Sequence, residues 1–419
     1  MVAVVKEEHH GQSLARIEDY EPIVGKGYIE ELRLLANRLS GKRIQTINST
    51  FVGGGVAEIL SHLVPLCNQL GVDIHWDIIK GTGEFFEVTK KFHNALHGAK
   101  ETITPEEYAL YKEITRKNLE EMKLFGDIFF IHDPQPAALI QKKEEIGRKW
   151  VWRCHIDLSN PDQNVWGFLR EYVVKYDSAI FSAPNFSQVL PIPQYLISPS
   201  IDPLSDKNRD LPPETIEAVL KKYGIPQDKP IVLQVSRFDY LKDPIGVITA
   251  FERVQRNMNC QLILVGGTAS DDPESEKVLK HVRERAGDNP DIHILAIPPN
   301  SDIEINAFQR AAAVVMQKSL KEGFALTVSE ALWKKKPVIA SAVGGIPLQV
   351  KHRFTGLLVH SIDGAVFALR QLLTNRDYAR WLGENGHLYV KQNFLVTREL
   401  KDYLLTFVAL DTTGDVIYL

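Results

Sequence analysis

The chain has 419 residues, more than one hydrophobic core usually serves, and this length predicts two domains. Hydrophobic residues make up 44% and charged residues 24% of the chain, as in an ordinary soluble globular protein. The net charge of -4 comes from 49 basic and 53 acidic residues, a balance that excludes a general electrostatic field for nucleic acid. An anionic ligand must therefore be bound by local groups.

The cysteines and histidines predict neither a disulfide framework nor a structural metal site. The three cysteines are far apart in the sequence, and the histidines show no HExxH spacing. Glu7 and Glu8 interrupt the N-terminus before any apolar run of signal-peptide length, and no later stretch approaches the ~18 apolar residues of a membrane span. We expect a cytoplasmic protein whose partners include neither nucleic acid nor a membrane.

Short β-branched or aromatic segments recur along the chain with helical stretches between them, which is typical of parallel sheets. The predicted strands of the first half are residues 43–49, 73–79, 127–133, 149–157 and 178–184. Those of the second half are residues 231–237, 261–267, 291–297, 312–319 and 336–345. The sequence therefore predicts an α/β protein with two doubly wound, Rossmann-like domains facing each other across a cleft, where open α/β sheets bind ligands.

A proline-rich segment with little periodicity, about residues 188–214, is predicted to connect the two domains. We expect an N-terminal domain over residues 1–205 and a C-terminal domain over residues 206–393. The last segment, residues 394–419, is expected to pack back on the N-terminal domain. A helix is predicted after residue 214 and should end at Gly224.

The segment KEGFALTVSEALW (321–333) holds two glutamates, Glu322 and Glu330, around a predicted loop-to-helix start at Gly323. Unpaired amides and the helix dipole favour an anion or sugar oxygens at such a start. Eight residues of helix span ~12 Å, so the carboxylates would contact different ends of an extended ligand such as a nucleotide sugar. A retaining glycosidase is disfavoured, because its carboxyl groups converge to ~5 Å. The alternative is an ordinary helix with a solvated Glu330.

Two cations, Arg237 and Lys242, follow a predicted strand of the second half in the segment VSRFDYLKDP (235–244). A guanidinium offers a bidentate fork and an ammonium a movable point charge, a combination that suits a diphosphate. Both charges could stabilise that diphosphate as it leaves. The alternative is a surface arrangement in which Arg237 pairs with Asp239 and Lys242 lies next to Asp243.

Glycines and a histidine follow strands of the first half. Gly53, Gly54 and Gly55 come between the first strand and a helix, and consecutive glycines let backbone amides approach a ligand, although a tight turn would need them too. His132 and Asp133 end another strand, where the histidine could hydrogen-bond a sugar hydroxyl or be structural. The next strand end carries a set of polar residues that alternation would place on one face, either in the site or in core pairing. These residues are Arg153, His155 and Asp157.

Together, the E-x7-E segment, the R-x4-K segment and the glycine-rich first loop resemble retaining glycosyltransferases of the GT-B fold. Within that group HDPQP (132–136), WRCHID (152–157) and VSRFDYLKDP (235–244) resemble the glycosyltransferring trehalose synthases, which join an NDP-glucose to free glucose. The resemblance runs from about Arg43 to the C-terminal region. It implies that the N-terminal domain binds the acceptor and the C-terminal domain binds the nucleotide sugar.

The resemblance implies a role for each matching residue of the second half. Arg237 and Lys242 would hold the donor diphosphate, and Glu330 would bind the ribose hydroxyls. Glu322 would bind the donor glucose together with the amides at the helix start. That start comprises Gly323, Phe324, Ala325 and Leu326.

In the first half, the resemblance implies that His132 and its neighbour Asp133 lie at the reacting sugar. The glycine loop would close over the donor phosphates and the acceptor. Two positions depart from the pattern: many relatives have glycine in place of Ala325 and an acid in place of Leu348. A positive φ at Ala325 would be strained.

The resemblance implies a reversible transfer with retention, in which Arg237, Lys242, Glu322 and His132 are the catalytic residues and no cofactor is required. A trehalose phosphorylase that uses phosphate, a transferase with another small acceptor, and a non-catalytic sugar-nucleotide-binding regulator are the alternatives. An NAD enzyme is disfavoured, because no GxGxxG follows a strand. The sequence leaves open the nucleotide base, stimulation by Mg²⁺ and assembly into a homodimer.

Overall fold

A computed structural model describes residues 15–51, 55–267, 273–298 and 300–411. Within these ranges the strands form two sheets of six strands each, and every strand pairing in both sheets is parallel. We call the part built on the first sheet the front half and the part built on the second sheet the rear half. The predicted α/β class with two Rossmann-like units is confirmed.

The front sheet has the strand order β2-β1-β3-β4-β5-β6. Its strands are β1 (Arg43–Asn48), β2 (Asp73–Ile78), β3 (Ile128–His132), β4 (Lys149–Cys154), β5 (Ser178–Phe181) and β6 (Gln194–Leu196). The rear sheet has the order β12-β11-β10-β7-β8-β9. Its strands are β7 (Ile231–Val235), β8 (Gln261–Gly267), β9 (Ile292–Ile297), β10 (Val314–Gln317), β11 (Val338–Ser341) and β12 (Leu357–Val359).

Helices cross between successive strands and cover both faces of each sheet, as parallel pairing requires. The helices are α1 (Glu21–Val24), α2 (Lys26–Arg38), α3 (Gly55–Gln69), α4 (Gly83–Leu96), α5 (Pro105–Glu121), α6 (Lys143–Ile146), α7 (Gln163–Val173), α8 (Pro213–Lys222), α9 (Pro244–Gln255), α10 (Pro273–Ala286), α11 (Asp302–Ala311), α12 (Leu326–Trp333), α13 (Ile346–Gln349), α14 (Ile362–Thr374), α15 (Arg376–Asn393) and α16 (Val396–Asp411). Short 3-10 helices cover Ile17–Tyr20, Ala137–Lys142, Pro184–Phe186 and Tyr240–Lys242.

All ten predicted strands are present. Most of them are buried on both faces and are therefore nearly continuous apolar runs in the sequence, whereas the edge strands β2 and β9 are partly exposed. The predictions missed β6 and β12, edge strands of three residues each. Such short strands lack the length from which periodicity is detected. The helix predicted after residue 214 is α8, and Gly224 follows it with φ +66, as a helix stop requires.

Two chain crossings connect the halves and lie side by side. Ile201 and Leu395 form an isolated parallel bridge, and the amide of Val396 donates to the Ile201 carbonyl at 2.9 Å. Beyond this bridge α16 packs against α2 and α3 of the front half, where Tyr403 and Phe407 are fully buried. The domain limits at residues 205 and 393 stay predictions, and the first falls between β6 and β7.

Candidate active site between the two sheets

A cavity of about 430 Å³ lies between the carboxyl edges of the two sheets. Both halves line it with polar side chains. The front half contributes Lys90, His93, Asn94, His97, His155 and Asp157. The rear half contributes Arg237, Asp239, Lys242, Lys321, Glu322 and Gly323. The residues predicted to follow rear strands therefore meet at one place, because the carboxyl ends of parallel strands share one edge of the sheet.

Lys242 and Glu322 form the central ion pair of this cavity. Lys242 Nζ donates to both carboxylate oxygens of Glu322, at 2.6 Å and 2.7 Å. The carboxylate also accepts from Ser319 Oγ at 2.9 Å and from Gln317 Nε2 at 3.4 Å. The Lys242 side chain is 18% exposed and that of Glu322 is 8% exposed, so the pair is largely shielded from water. Removing either partner would leave the other charge shielded from water and uncompensated, which is strongly destabilising. The two side chains are therefore expected to stay paired.

Arg237 extends freely into the cavity. Its side chain is 65% exposed, and Nη2 lies 3.7 Å from Asp239 Oδ2, a loose contact between groups accessible to water. This is the surface pairing considered from the sequence, and an exposed pair of this kind contributes little to stability. The guanidinium fork is therefore available for an anion.

The turn that carries Lys242 is fixed by a second ion pair. Lys318, which follows β10, binds the carboxylate of Asp243. Asp243 has φ +49, and its side chain accepts from the Gly246 amide at 3.0 Å as the cap of α9. The Gln234 side chain also donates to the Lys242 carbonyl at 2.8 Å. Lys242 thus stands on a backbone that β7, β10 and α9 hold together.

Helix α12 begins at Leu326, later than the sequence pattern indicated, and Glu322 lies in the loop before it. The interval from Glu322 to Glu330 is therefore only partly helical, and the assumption of a helix over all eight residues is wrong. The predicted separation of the two carboxylates stays a prediction. Ala325 precedes the helix with φ +67, the left-handed conformation that the sequence analysis identified as strained. In the described part of the chain, the amides of the predicted helix start, residues 323–326, donate to no protein atom. These amides can bind oxygens of a ligand.

Gly344 explains how the loop of Glu322 packs so tightly. It has φ +55, and a Cβ at this position would lie 1.8 Å from the Glu322 carbonyl oxygen. The next residue, Gly345, donates its amide to the Gly323 carbonyl at 2.7 Å. Leu348, the position without the acid of many relatives, is half-buried against both the front and rear hydrophobic cores.

Glu330 lies beside a second, smaller cavity of about 30 Å³ between α3 and α12. Gln309 Nε2 donates to Glu330 Oε2 at 3.1 Å, and the glutamate is buried. Burial acts to lower the pKa of Lys207, but the carboxylates of Glu330 and Glu58 outweigh it and the pKa is raised. This volume holds about one water molecule, so a ribose could reach Glu330 only after the two helices separate.

His132 is buried and reaches the cavity only through another histidine. Hydrogen bonds join its Nε2 to Thr46 Oγ1 at 2.8 Å and its Nδ1 to His155 Nε2 at 3.0 Å. Burial and, to a smaller extent, the Arg153 guanidinium together lower the pKa of His132 to about 3, so the ring is neutral. His155 lines the cavity, whereas His132 does not. The predicted position of His132 at the reacting sugar stays a prediction.

Asp133 supports the backbone of this front wall. It has φ +64, and its Oδ1 accepts from the His155 amide at 2.7 Å. Burial raises the pKa of its carboxyl to about 6, while the bond from His155 opposes that rise. The predicted alternation from Arg153 to Asp157 is wrong, because β4 ends at Cys154. His155 and Asp157 line the cavity, but buried Arg153 donates through Nη2 to the Ile197 carbonyl at 2.7 Å.

The front wall formed by α4 was missed by the sequence analysis. His93 lies in the last turn of α4 and His97 is the residue that follows its end, with ring centroids separated by 6.2 Å. The signal that could have found them is the segment HNALH (93–97), in which two histidines occupy one helix face. Desolvation within the cleft and the neighbouring basic groups together lower the pKa of His93 to about 4, although its side chain is exposed at the cavity surface.

The structure places the other predicted site residues as follows. Four line the larger cavity: Arg237, Lys242, Glu322 and Gly323. Leu326 and Glu330 line the smaller cavity, and Phe324 and Ala325 lie between these two groups along the chain. Gly55 is the first residue of α3, whereas Gly53 and Gly54 lie outside the described residues.

The described part of the chain lacks two features that the sequence analysis considered. No cluster of three or more histidine, cysteine, aspartate or glutamate side chains there could hold a metal ion. Among the same residues, no helix combines the length and apolar character needed to cross a membrane.

Comparison with known proteins agrees with this architecture. Residues 46–188 match a family described as "Trehalose synthase, N-terminal domain", and residues 215–388 match "Glycosyl transferases group 1". The trehalose synthase of Thermococcus litoralis is 44% identical over 395 residues, which cover 93% of this chain and 96% of that protein. The trehalose synthase of Rubrobacter xylanophilus is 42% identical over 403 residues, which cover 94% and 97%.

Among solved structures, a UDP-forming α,α-trehalose-phosphate synthase from Burkholderia xenovorans superimposes with a TM-score of 0.70 at 15% identity, covering 89% of this chain and 100% of that one. At this identity the likeness shows the fold alone. Two facing Rossmann-like halves with a polar cleft define a glycosyltransferase of the GT-B type. The chain belongs to the trehalose synthase family, and its activity is that of a trehalose-related glycosyltransferase.

Proposed function

We propose that this enzyme transfers glucose from an NDP-glucose to free glucose with retention of configuration and forms trehalose reversibly. The observation that carries the proposal is the Lys242–Glu322 pair beside the exposed guanidinium of Arg237 in one cavity. Two cations there suit a leaving diphosphate, and a carboxylate with free amides next to it suits the hydroxyls of the transferred sugar.

The donor would lie along the rear half. Arg237 would bind the diphosphate through its fork, and Lys242 would contribute the second charge while it orients Glu322. Glu322 and the amides from Gly323 onward would bind the glucose, and Glu330 would bind the ribose. The volume of about 30 Å³ beside Glu330 supports a movement of the halves during binding, because a ribose needs more room.

The bridge between Ile201 and Leu395 is where such a movement would bend the chain. Both crossings between the halves run through this bridge, so a small rotation there would change the distance between the cavity walls. Closure would exclude water, which would otherwise hydrolyse the donor. Small-angle scattering profiles that superimpose with and without a sugar nucleotide and glucose would contradict closure.

The acceptor glucose would lie against the front wall, where His155, Asp157 and Asn94 offer hydrogen-bond partners. The bond from the donor C1 to the diphosphate breaks while a bond to an acceptor hydroxyl oxygen forms on the same face. A leaving phosphate oxygen receives the hydroxyl proton, so no side-chain nucleophile is needed. The enzyme would act by holding the reactants and stabilising the charge on the phosphates.

The test is product analysis by NMR after incubating UDP-glucose, ADP-glucose or GDP-glucose with glucose. We expect α,α-linked trehalose, and an inverted linkage would contradict retention. Replacing Arg237 or Lys242 by alanine should lower kcat by about 10²-fold or more while the circular dichroism spectrum is kept. Near-normal rates in both variants would contradict the assignment.

Two parallel incubations separate the alternatives. Release of glucose 1-phosphate from trehalose and inorganic phosphate, without a nucleotide, would identify a phosphorylase instead. Binding of a sugar nucleotide with no product from glucose, fructose or glycerate would identify a regulatory protein.

A further inference from the structure

Helix α4 places two imidazoles opposite the cations of the rear half. The rings of His93 and His97 are stacked, with an interplanar angle of 7°. Both rings line the cavity that Arg237 lines from the other side. The rear half also reaches the end of this helix, since a Cβ built on Gly98 would lie 3.0 Å from Lys321 Nζ. The two histidines therefore belong to the same electrostatic environment as the proposed diphosphate site.

The groups that face His93 are positive or neutral. Lys90 lies on the same helix, His97 follows the end of that helix, and Arg237 faces His93 from the rear half. Asp239, an acid that lines the same cavity from the rear half, lies 3.7 Å from Arg237. Desolvation within the cleft and the three basic groups together lower the pKa of His93 to about 4, although its side chain is exposed at the cavity surface. The ring is therefore neutral at pH 7.

The groups that face His97 are mixed. Lys321 and Lys242 oppose its protonation from the rear half, whereas the carboxylates of Asp157 and Glu322 favour it. Burial is the largest influence and lowers the pKa of His97. Glu322 is already neutralised by Lys242, with both oxygens bound. His97 is thus the less strongly perturbed neighbour of His93.

Neutral imidazoles among cations suit a ligand that brings negative charge with it. A diphosphate between Arg237 and α4 would replace the repulsion on His93 with attraction, and an opposite charge within ~4–6 Å favours the charged form of a group. An imidazolium carries a donor on each ring nitrogen, so it can bind a phosphate oxygen from the side opposite the guanidinium.

We propose that His93, assisted by His97, takes up a proton when the sugar nucleotide binds and becomes the front-half ligand of the donor diphosphate. This inference rests on the proposed function, since it places the diphosphate at Arg237 and Lys242. The proton comes from solvent and returns to solvent when the nucleotide leaves. Protonation of His93 would also draw the front half toward the donor, because the new positive charge on α4 is attracted by the diphosphate across the cavity.

The sign of the linkage follows from the direction of the change. A group whose pKa is higher in the complex than in the free protein binds a proton with the ligand, so affinity is greater at low pH and falls as pH rises toward the higher pKa. The dissociation constant should rise by up to about tenfold per pH unit for each proton taken up. A loss of affinity toward acid pH would have the opposite sign and would contradict the proposal.

The experiment is titration calorimetry of the whole enzyme with UDP-glucose, ADP-glucose and GDP-glucose at pH 7, without acceptor, in buffers of different ionisation enthalpy. The phosphates of these donors are diesters that do not titrate near neutral pH, so any proton taken up belongs to the protein. We expect roughly 0.5–1 proton per bound donor. His93→Gln should remove at least half of this uptake. His75→Gln should leave it unchanged, because His75 lies on β2, outside this cavity, and pairs with Asp73 at 2.8 Å.

Each outcome decides a different claim. Binding whose heat does not depend on the buffer would overturn this inference and leave the proposed function standing. The same holds if uptake persists unchanged in both His93→Gln and His97→Gln, and the wild-type measurement does not require that either variant fold. If no donor binds, both the inference and the proposed function fall. Loss of binding in Arg237→Ala places the measured event at the proposed site.

Discussion

Gly344 is the point where two loops of the rear half meet, and replacing it by alanine tests whether catalysis requires Glu322 to be held in place. A Cβ on Gly344 would lie 1.8 Å from the Glu322 carbonyl oxygen and 2.8 Å from the Gly323 carbonyl oxygen. Real Cβ atoms essentially never approach closer than 3.0 Å, so the loops of Gly344 and Glu322 must separate by at least about 1.2 Å, the difference between 3.0 Å and 1.8 Å. The obstructing atoms belong to the backbone, and no side-chain rotation relieves the contact.

This displacement is large compared with the tolerance of the ion pair. Lys242 Nζ binds the carboxylate oxygens at 2.6 Å and 2.7 Å, and a shift of this size takes them beyond hydrogen-bond distance or moves Lys242 with them. A misplacement of ~1 Å in a reacting site can cost on the order of 10²-fold in rate. We therefore expect Gly344→Ala to lower kcat/KM for trehalose formation by about 100-fold.

Gly224→Ala is the matched control. Gly224 also has a positive φ, +66, but nothing lies within 4 Å of a Cβ there. Both variants carry a left-handed alanine, at a cost of roughly 1–2 kcal/mol, and only Gly344→Ala adds the clash. Initial rates and thermal midpoints should be measured on both proteins. If Gly344→Ala keeps a kcat/KM within about twofold of the control, the reasoning that links loop packing to catalysis is wrong.

Further predictions concern the ion pair, a residue with positive φ, a buried carboxyl group and metal removal. Lys242→Met should lower the free energy of unfolding, measured in urea, by roughly 2–4 kcal/mol, because it leaves the carboxylate of Glu322 without its cation. Adding Glu322→Gln should recover most of this loss. If the effects of the two substitutions on the free energy of unfolding simply add, the two residues are not energetically coupled. Ala325→Gly should raise the free energy of unfolding by about 0.5–1 kcal/mol, because Ala325 has φ +67, a conformation that strains alanine but not glycine. A variant less stable than the wild type would show that no strain is stored at this position. Asp133→Asn should stabilise the protein by up to ~3 kcal/mol at pH 7, because the pKa of Asp133 in the folded protein, about 6, exceeds the value of 3.8 expected in the unfolded chain. The wild-type protein loses this stability as the pH rises through the folded pKa, so the advantage of the variant should vanish below about pH 4. An equal advantage at pH 7 and below pH 4 would contradict this cause. Treatment with EDTA should leave most of the trehalose-forming rate if, as proposed, Arg237 and Lys242 supply the positive charge at the diphosphate. A complete loss that Mg²⁺ restores would show that a metal ion is essential.

Much of the architecture could be predicted from the sequence, because most strands of the two sheets are buried on both faces and are nearly continuous apolar segments. The same segments showed which polar residues follow a strand, and Arg237, Lys242 and Glu322 indeed share one cavity. Edge strands β6 and β12 escaped prediction, since three residues carry too little periodicity. The start of α12 was placed too early, because a loop tied to Gly345 continues the helix-like pattern of the sequence.

The pairing of side chains was decided by the tertiary structure alone. Lys242 and Glu322 are 80 residues apart, and only the adjacency of β7 and β10 brings their loops into contact. His132 had the residue type and strand-end position expected of a catalytic group, yet both its ring nitrogens bind neighbouring side chains. The histidines of α4 face the cavity because the front half packs that helix opposite Arg237. Local sequence determines which residues follow each strand, whereas the contacts between distant segments determine which partner each of them meets.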